Sequence, residues 1–104
     1  MAEEREVSQL EALRRRIDEI DEALVHLLSA RAECALAIGR EKKAAGLDLY
    51  QPSRESAVLE HVQRVNGGPL DDSAIKRLFE RVIDEARRLE RIAEGAEQKS
   101  GPGP

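Results

Sequence analysis

The chain has 104 residues, of which 37% are charged and only 2% are aromatic, and its formal net charge is −4. A chain of this length forms one small domain at most. The negative net charge argues against nucleic acid as a partner, because phosphate-binding surfaces are usually basic. No apolar run approaches the ~18 residues that a membrane span needs, so we expect no membrane insertion and a cytoplasmic location.

The first predicted element is a long helix. Ser8 followed by Glu11 forms a capping box, and no proline follows before about Ala45. Such a helix would be ~50 Å long at ~1.5 Å per residue. No single small globule has a core of that length, so both halves of the helix need partners. Its apolar residues recur at intervals of three and four, which is typical of one buried helical face, and they are Leu10, Leu13, Ile17, Ile20, Leu24, Leu27, Leu28, Cys34, Ala35 and Ile38.

A short second helix is predicted after a break. Gly46 is expected to end the first helix, and Pro52 favours an extended residue before it. Ser53 is expected to cap the second helix, which runs to about Val65. Its predicted inward face consists of Val58, Leu59, Val62 and Val65.

A third helix of medium length follows the turn predicted by the Asn-Gly-Gly-Pro sequence at 66–69. Asp71 or Asp72 is expected to cap it. Its predicted apolar stripe consists of Ile75, Leu78, Phe79, Val82, Ile83, Ala86, Leu89 and Ala93. We therefore expect an all-α fold with a flexible N-terminus at 1–7, a helical domain at 8–94 and a disordered tail at 95–104.

Charged residues stand at positions where these helices need core residues. Arg31 interrupts the apolar stripe of the first helix, and Lys42, eleven residues later, shares its face to within ~20°. Glu55 and Glu90 lie on the inward faces of the second and third helices. Burying an unpaired charge is costly, so these groups must pair with one another or with a ligand.

Two interpretations of these four charges are open. One is a pair of internal salt bridges, Arg31 with Glu90 and Lys42 with Glu55. For all four together on three helices, a polar pocket inside a helical bundle is the better account. The surplus of cations, with Arg14 and Arg54 nearby, suits an anionic ligand.

Arg14 bears on the assembly. It is seventeen residues from Arg31, which places it ~25 Å away along a helix, too far to reach the same small ligand. In an antiparallel dimer of the long helix, Arg14 would complete the neighbouring chain's pocket. The alternative is that Arg14 is a solvated surface charge.

These segments resemble the all-helical (AroQ) class of chorismate mutases. The resemblance covers about residues 8–93, and it depends on the combined spacing of the charged residues, because each piece alone would be weak. The similar segments are Leu13-Arg14, 17–21 (IDEID), 27–31 (LLSAR), 38–42 (IGREK), 50–55 (YQPSRE), Leu78-Phe79 and 87–90 (RRLE).

The resemblance implies an intertwined homodimer with two pockets that converts chorismate to prephenate, on the route to phenylalanine and tyrosine, without metal or cofactor. It implies that Arg31 and the partner's Arg14 hold the two substrate carboxylates, with Arg54 contributing. Lys42 would donate to the ether oxygen whose bond breaks, assisted by Glu90. Glu55 would accept a hydrogen bond from the ring hydroxyl.

Departures from the family pattern leave some positions without a role. Gln51 stands where the family often has an acidic residue, and Ala86 stands where it often has serine. Glu90 must be protonated to donate a hydrogen bond, where many members have glutamine. His26, His61 and Cys34 receive no role either.

Three other possibilities remain open from the sequence. An isochorismate–pyruvate lyase shares the fold and much of the cationic pocket, although the Arg54-Glu55 pair after proline favours the mutase. A non-catalytic helical dimerisation or regulatory module would leave chorismate unchanged. Binding to a larger pathway enzyme is possible with either function.

Overall fold

The computed structural model describes residues 1–99 and consists there of three helices without strands. They are α1 (Ala2–Ala44), α2 (Pro52–Val65) and α3 (Asp72–Lys99), and α2 packs on α3. The predicted all-α fold with a long, a short and a medium helix is confirmed. The chain forms two units, Met1–Arg31 and Ala32–Pro104, so the boundary between them lies inside α1.

The structure corrects the outer ends of the first and third helices. Helix α1 begins at Ala2, not at Ser8, and residues 2–7 belong to it. Glu3 and Glu4 stabilise this earlier start, because acidic side chains in a first turn interact favourably with the helix dipole. Helix α3 continues past Glu94 to Lys99, since alanine and glutamate are good helix formers. The rest of the predicted tail, 100–104, lies outside the described residues, and the domain limits 8–94 stay a prediction.

Helix α1 ends as predicted. Gly46 adopts a φ of 71°, and its N–H donates to the Lys43 carbonyl at 3.1 Å. The Leu47 N–H donates to the Lys42 carbonyl at 2.8 Å. These bonds satisfy carbonyls that the helix end would leave unpaired, and glycine accepts the left-handed conformation they require.

Helix α2 begins two residues earlier than predicted. Gln51 is its N-cap and Pro52 its first residue, so the prediction of Ser53 as the cap is wrong. Proline is favoured at this position because its fixed φ suits a helix and its missing N–H costs nothing there. The Gln51 carbonyl accepts hydrogen bonds from the N–H groups of Arg54 and Glu55, at 3.0 and 3.2 Å. This start places Arg54 and Glu55 in the first turn of α2.

The turn between α2 and α3 is held by side-chain hydrogen bonds. Asn66 donates through Nδ2 to the Leu70 carbonyl at 2.7 Å and to Asp72 Oδ1 at 2.9 Å, and its Oδ1 accepts the Gly68 N–H at 3.0 Å. Asp71 Oδ1 accepts the Ala74 N–H at 2.7 Å. The cap is therefore Asp71, one of the two predicted candidates.

None of the residues whose exposure is described, 1–96, is fully buried in a single chain. Most of the predicted inward faces of α2 and α3 are partly covered, but Val65 and Leu78 remain 66% and 54% exposed, so their predicted burial is not seen. Every residue from Met1 to Ala30 is exposed, and Leu13 on the apolar stripe is 63% exposed. The predicted core residues of α1 from Leu10 to Leu28 thus lack a cover within their own unit. Within residues 1–99, none of the helices is long and apolar enough to cross a membrane.

Candidate functional site

Lys42 is partly buried close to the end of α1. Its Nζ donates a hydrogen bond to the Leu49 carbonyl at 3.2 Å, in the loop that leads to α2. The loop therefore fixes the position of the ammonium group. Lys42 does not pair with Glu55, which has a different partner, so the internal salt bridge considered from the sequence for these two residues is not formed.

Glu90 lies on α3 with a pKa raised above the ordinary value of a glutamate. Burial of its carboxyl group is the main cause, and the positive charges of Lys42 and Arg87 act in the opposite direction. A Cβ atom at Gly39 would lie 3.8 Å from Glu90 Cγ and 3.6 Å from Leu49 Cδ2. These are ordinary van der Waals distances, so Glu90 and Leu49 pack against α1 at Gly39.

Glu55 forms an ion pair with Arg87, between Oε1 and Nη2. The two side chains are only 29% and 34% exposed, so the pair is partly shielded from water. The guanidinium carbon of Arg87 also lies 5.0 Å from the centre of the Tyr50 ring, within the range of a cation–π interaction. We call Tyr50, Glu55 and Arg87 the Arg87 cluster; it joins the loop before α2 to α3.

The remaining predicted site residues have fewer contacts. Arg54 is exposed in the first turn of α2. Arg31 is partly exposed and Arg14 is exposed, and both belong to the unit Met1–Arg31. In the unit that begins at Ala32, Lys42 lies close enough to Glu90 for its positive charge to act on the Glu90 carboxyl group. Arg87 links these two to Glu55.

A cavity of about 280 Å³ lies beside this group of residues. Of the predicted site residues, Glu90 lines this cavity, whereas Arg31, Lys42 and Glu55 do not. Its wall is formed by Leu36, Gly39, Arg40, Lys43, Leu47, Asp48, Leu49, Glu90, Ala93 and Glu94.

Comparison with known proteins decides the family. The model of the family described as chorismate mutase type II matches residues 13–91. The chain belongs to this family. The family predicted from the sequence is thereby confirmed. All six predicted site residues, from Arg14 to Glu90, lie within the matched segment.

Individual relatives agree with this assignment. A bifunctional chorismate mutase/prephenate dehydratase of Stutzerimonas stutzeri is 42% identical over 82% of this chain, which spans 25% of the relative's length. A 4-amino-4-deoxychorismate mutase of Streptomyces venezuelae is 30% identical over 82% of this chain and 84% of the relative. The solved chorismate mutase (form II) of Thermus thermophilus has a TM-score of 0.78 and 32% identity, over 80% of this chain and 94% of the other. The chain thus spans about a quarter of the length of the bifunctional relatives.

Sequence reasoning missed Arg87. Helix α3 carries several arginines, and Arg87, Arg88 and Arg91 look alike as solvated surface charges. The available signal was spacing: Arg87 follows Ile83 by four residues and precedes Glu90 by three, so it shares their face. The structure distinguishes Arg87 from its neighbour, because Arg88 pairs with the exposed Glu85 on its own helix.

Proposed function

We propose that this chain is a chorismate mutase that converts chorismate to prephenate as a homodimer. The observation that carries the proposal is the placement of Lys42 beside Glu90 within the segment that matches the family. A fixed ammonium group and a carboxyl group with a raised pKa are suited to stabilising an oxygen that gains negative charge.

The reaction is an intramolecular rearrangement in which an ether C–O bond breaks as a C–C bond forms. It needs no nucleophile; the enzyme has to hold the substrate in its reactive conformation and stabilise the charge on the ether oxygen. In our proposal Lys42 donates to this oxygen, and Glu90 in its protonated form donates beside it. Arg31 and the partner's Arg14 bind the two substrate carboxylates, which guanidinium groups match in a bidentate geometry. Arg54 adds positive charge there, and Glu55 accepts the ring hydroxyl.

The exposed apolar stripe of α1 supports the dimer. Leu13, Ile17 and Leu24 lie on one helical face and are each at least half exposed in the single chain. Exposed apolar area of this extent favours association. A second copy of the chain is the natural occupant because the stripe is self-complementary in an antiparallel pair, as a two-fold interface requires. That arrangement also brings Arg14 to the other chain's site.

Ultraviolet absorbance of chorismate is the direct test of this proposal. Purified chain should consume chorismate, and the product should be prephenate by chromatography. Conversion of isochorismate with release of pyruvate, without action on chorismate, would assign the chain to the lyases instead. If chorismate and isochorismate both stay unchanged, the chain is assigned to the non-catalytic modules.

Association with a larger pathway enzyme is a separate proposal. It is supported by the relatives whose names combine chorismate mutase with prephenate dehydratase. A cytoplasmic location stays a prediction.

Activity should fall as pH rises through the pKa of Glu90. The raised pKa keeps the carboxyl group protonated to a higher pH than for an ordinary glutamate, and only the protonated form donates a hydrogen bond. The Glu90→Gln variant donates through its amide at every pH, so its profile should be flat over the same range. The measurement is kcat against pH for both proteins; superimposable profiles would contradict the role of Glu90.

A further inference from the structure

The proposed mechanism gives Glu55 of the Arg87 cluster a role but gives none to Arg87. Arg87 is held by the carboxylate of Glu55 and by the Tyr50 ring, and its Nη1 lies 3.9 Å from Asp84 Oδ1. These contacts come from α2, from the loop before it and from α3 itself. The guanidinium group, which is always charged, is therefore fixed against Glu55.

We propose that Arg87 determines substrate specificity: by pairing with Glu55, it makes the site select a neutral hydroxyl over an ammonium group at the ring position that Glu55 contacts. This inference rests on the proposed function, in which Glu55 accepts a hydrogen bond from the ring hydroxyl.

The selection follows from charge. A carboxylate has about four lone-pair positions, so Glu55 can bind Arg87 through one oxygen and still accept a hydrogen bond from a hydroxyl group. An unpaired carboxylate would attract an ammonium group strongly. With Arg87 attached, that attraction is offset, and the ammonium group is repelled by a second positive charge close by.

The expected size of the effect is moderate. Since the pair is 29% and 34% exposed, water screens part of the repulsion. We expect the preference for the hydroxyl substrate to be about tenfold greater with Arg87 than without it.

The test compares chorismate with its analogue in which an amino group replaces the ring hydroxyl, 4-amino-4-deoxychorismate. The ratio of kcat/KM for chorismate to kcat/KM for the amino analogue is measured in the wild type and in Arg87→Met. The ratio should fall about tenfold in the variant. Since both substrates share the ether and the carboxylates, any effect of Arg87 on Glu90 or on folding should cancel in this ratio.

Three further variants sharpen the comparison. Arg87→Gln removes the charge but keeps a hydrogen-bond donor, and it should lower the ratio as Arg87→Met does. Arg87→Lys keeps the charge and should preserve most of the ratio. Arg88→Met is the matched control, because Arg88 pairs with Glu85 on its own helix, and its ratio should equal that of the wild type.

An unchanged ratio in active Arg87→Met would overturn the role of Arg87 while leaving the proposed function intact. Loss of both activities in folded Arg87→Met and folded Arg87→Gln would also overturn it, because Arg87 would then serve catalysis in general. A wild type that is inactive on chorismate would overturn the proposed function and this inference together.

Discussion

Arg31→Ala and Lys42→Ala should each lower the turnover of chorismate by about a hundredfold to a thousandfold. Lys42 is the fixed cation proposed to stabilise the ether oxygen, and its Nζ is already positioned by the Leu49 carbonyl. Alanine at 42 leaves the developing negative charge without this donor. Alanine at 31 would remove the proposed bidentate clamp on a substrate carboxylate, so the substrate would no longer be held in its reactive conformation.

The measurement is kcat and KM from the absorbance of chorismate, together with the molar mass in solution and the far-ultraviolet circular dichroism. Lys76→Ala is a suitable control for Lys42→Ala, because Lys76 is an exposed lysine on α3 outside the predicted site. The control should retain full activity, and all variants should keep the wild-type mass and helicity. Near-native turnover in Arg31→Ala or Lys42→Ala would exclude that residue from the catalytic machinery.

Local chemistry accounts for what the sequence predicted well. The apolar period of three and four determines a helix whatever its neighbours, so all three helices were predictable. Gly46 and Asp71 were predictable as well. The end of α1 needs a left-handed residue, which glycine supplies. The start of α3 needs a hydrogen-bond acceptor for a backbone N–H, which Asp71 supplies. The starts of the helices were less predictable. Ser8 is a good cap, but Glu3 and Glu4 stabilise an earlier start of α1. Ser53 is a good cap as well, but Pro52 stabilises an earlier start of α2.

Pairings between helices were harder to predict. Lys42 and Glu55 are oppositely charged residues on inward faces, which made a salt bridge between them reasonable. In the structure the Leu49 carbonyl binds Lys42, and Arg87 binds Glu55. The periodicity of each helix gives the face on which a residue lies but not its rotation against a neighbouring helix. Arg87 could therefore be placed on the right face, while its partner required three-dimensional coordinates.

Mixing two inactive variants, Arg14→Ala and Lys42→Ala, should restore activity if each site takes Arg14 from the partner chain. In a mixed dimer, one site would receive Lys42 from the Arg14→Ala chain and Arg14 from the Lys42→Ala chain, so this site would contain both residues. The other site would lack both residues. With equal amounts and random re-pairing, half of the dimers are mixed, so about a quarter of wild-type turnover should return.

The chains must be unfolded and refolded together, because the proposed intertwined dimer would not exchange its subunits on simple mixing. Refolding each variant alone measures the background turnover of chorismate, which should stay close to zero. Arg15→Ala is the matched control for Arg14→Ala: it removes a neighbouring exposed arginine from the same helix, and it should be active without mixing. If Arg14 served its own chain, every site in a mixed dimer would lack one residue, and co-refolding would restore nothing. Recovery of about a quarter therefore distinguishes a shared site from one built within a single chain, and full activity of Arg14→Ala alone would show that Arg14 is a solvated surface charge.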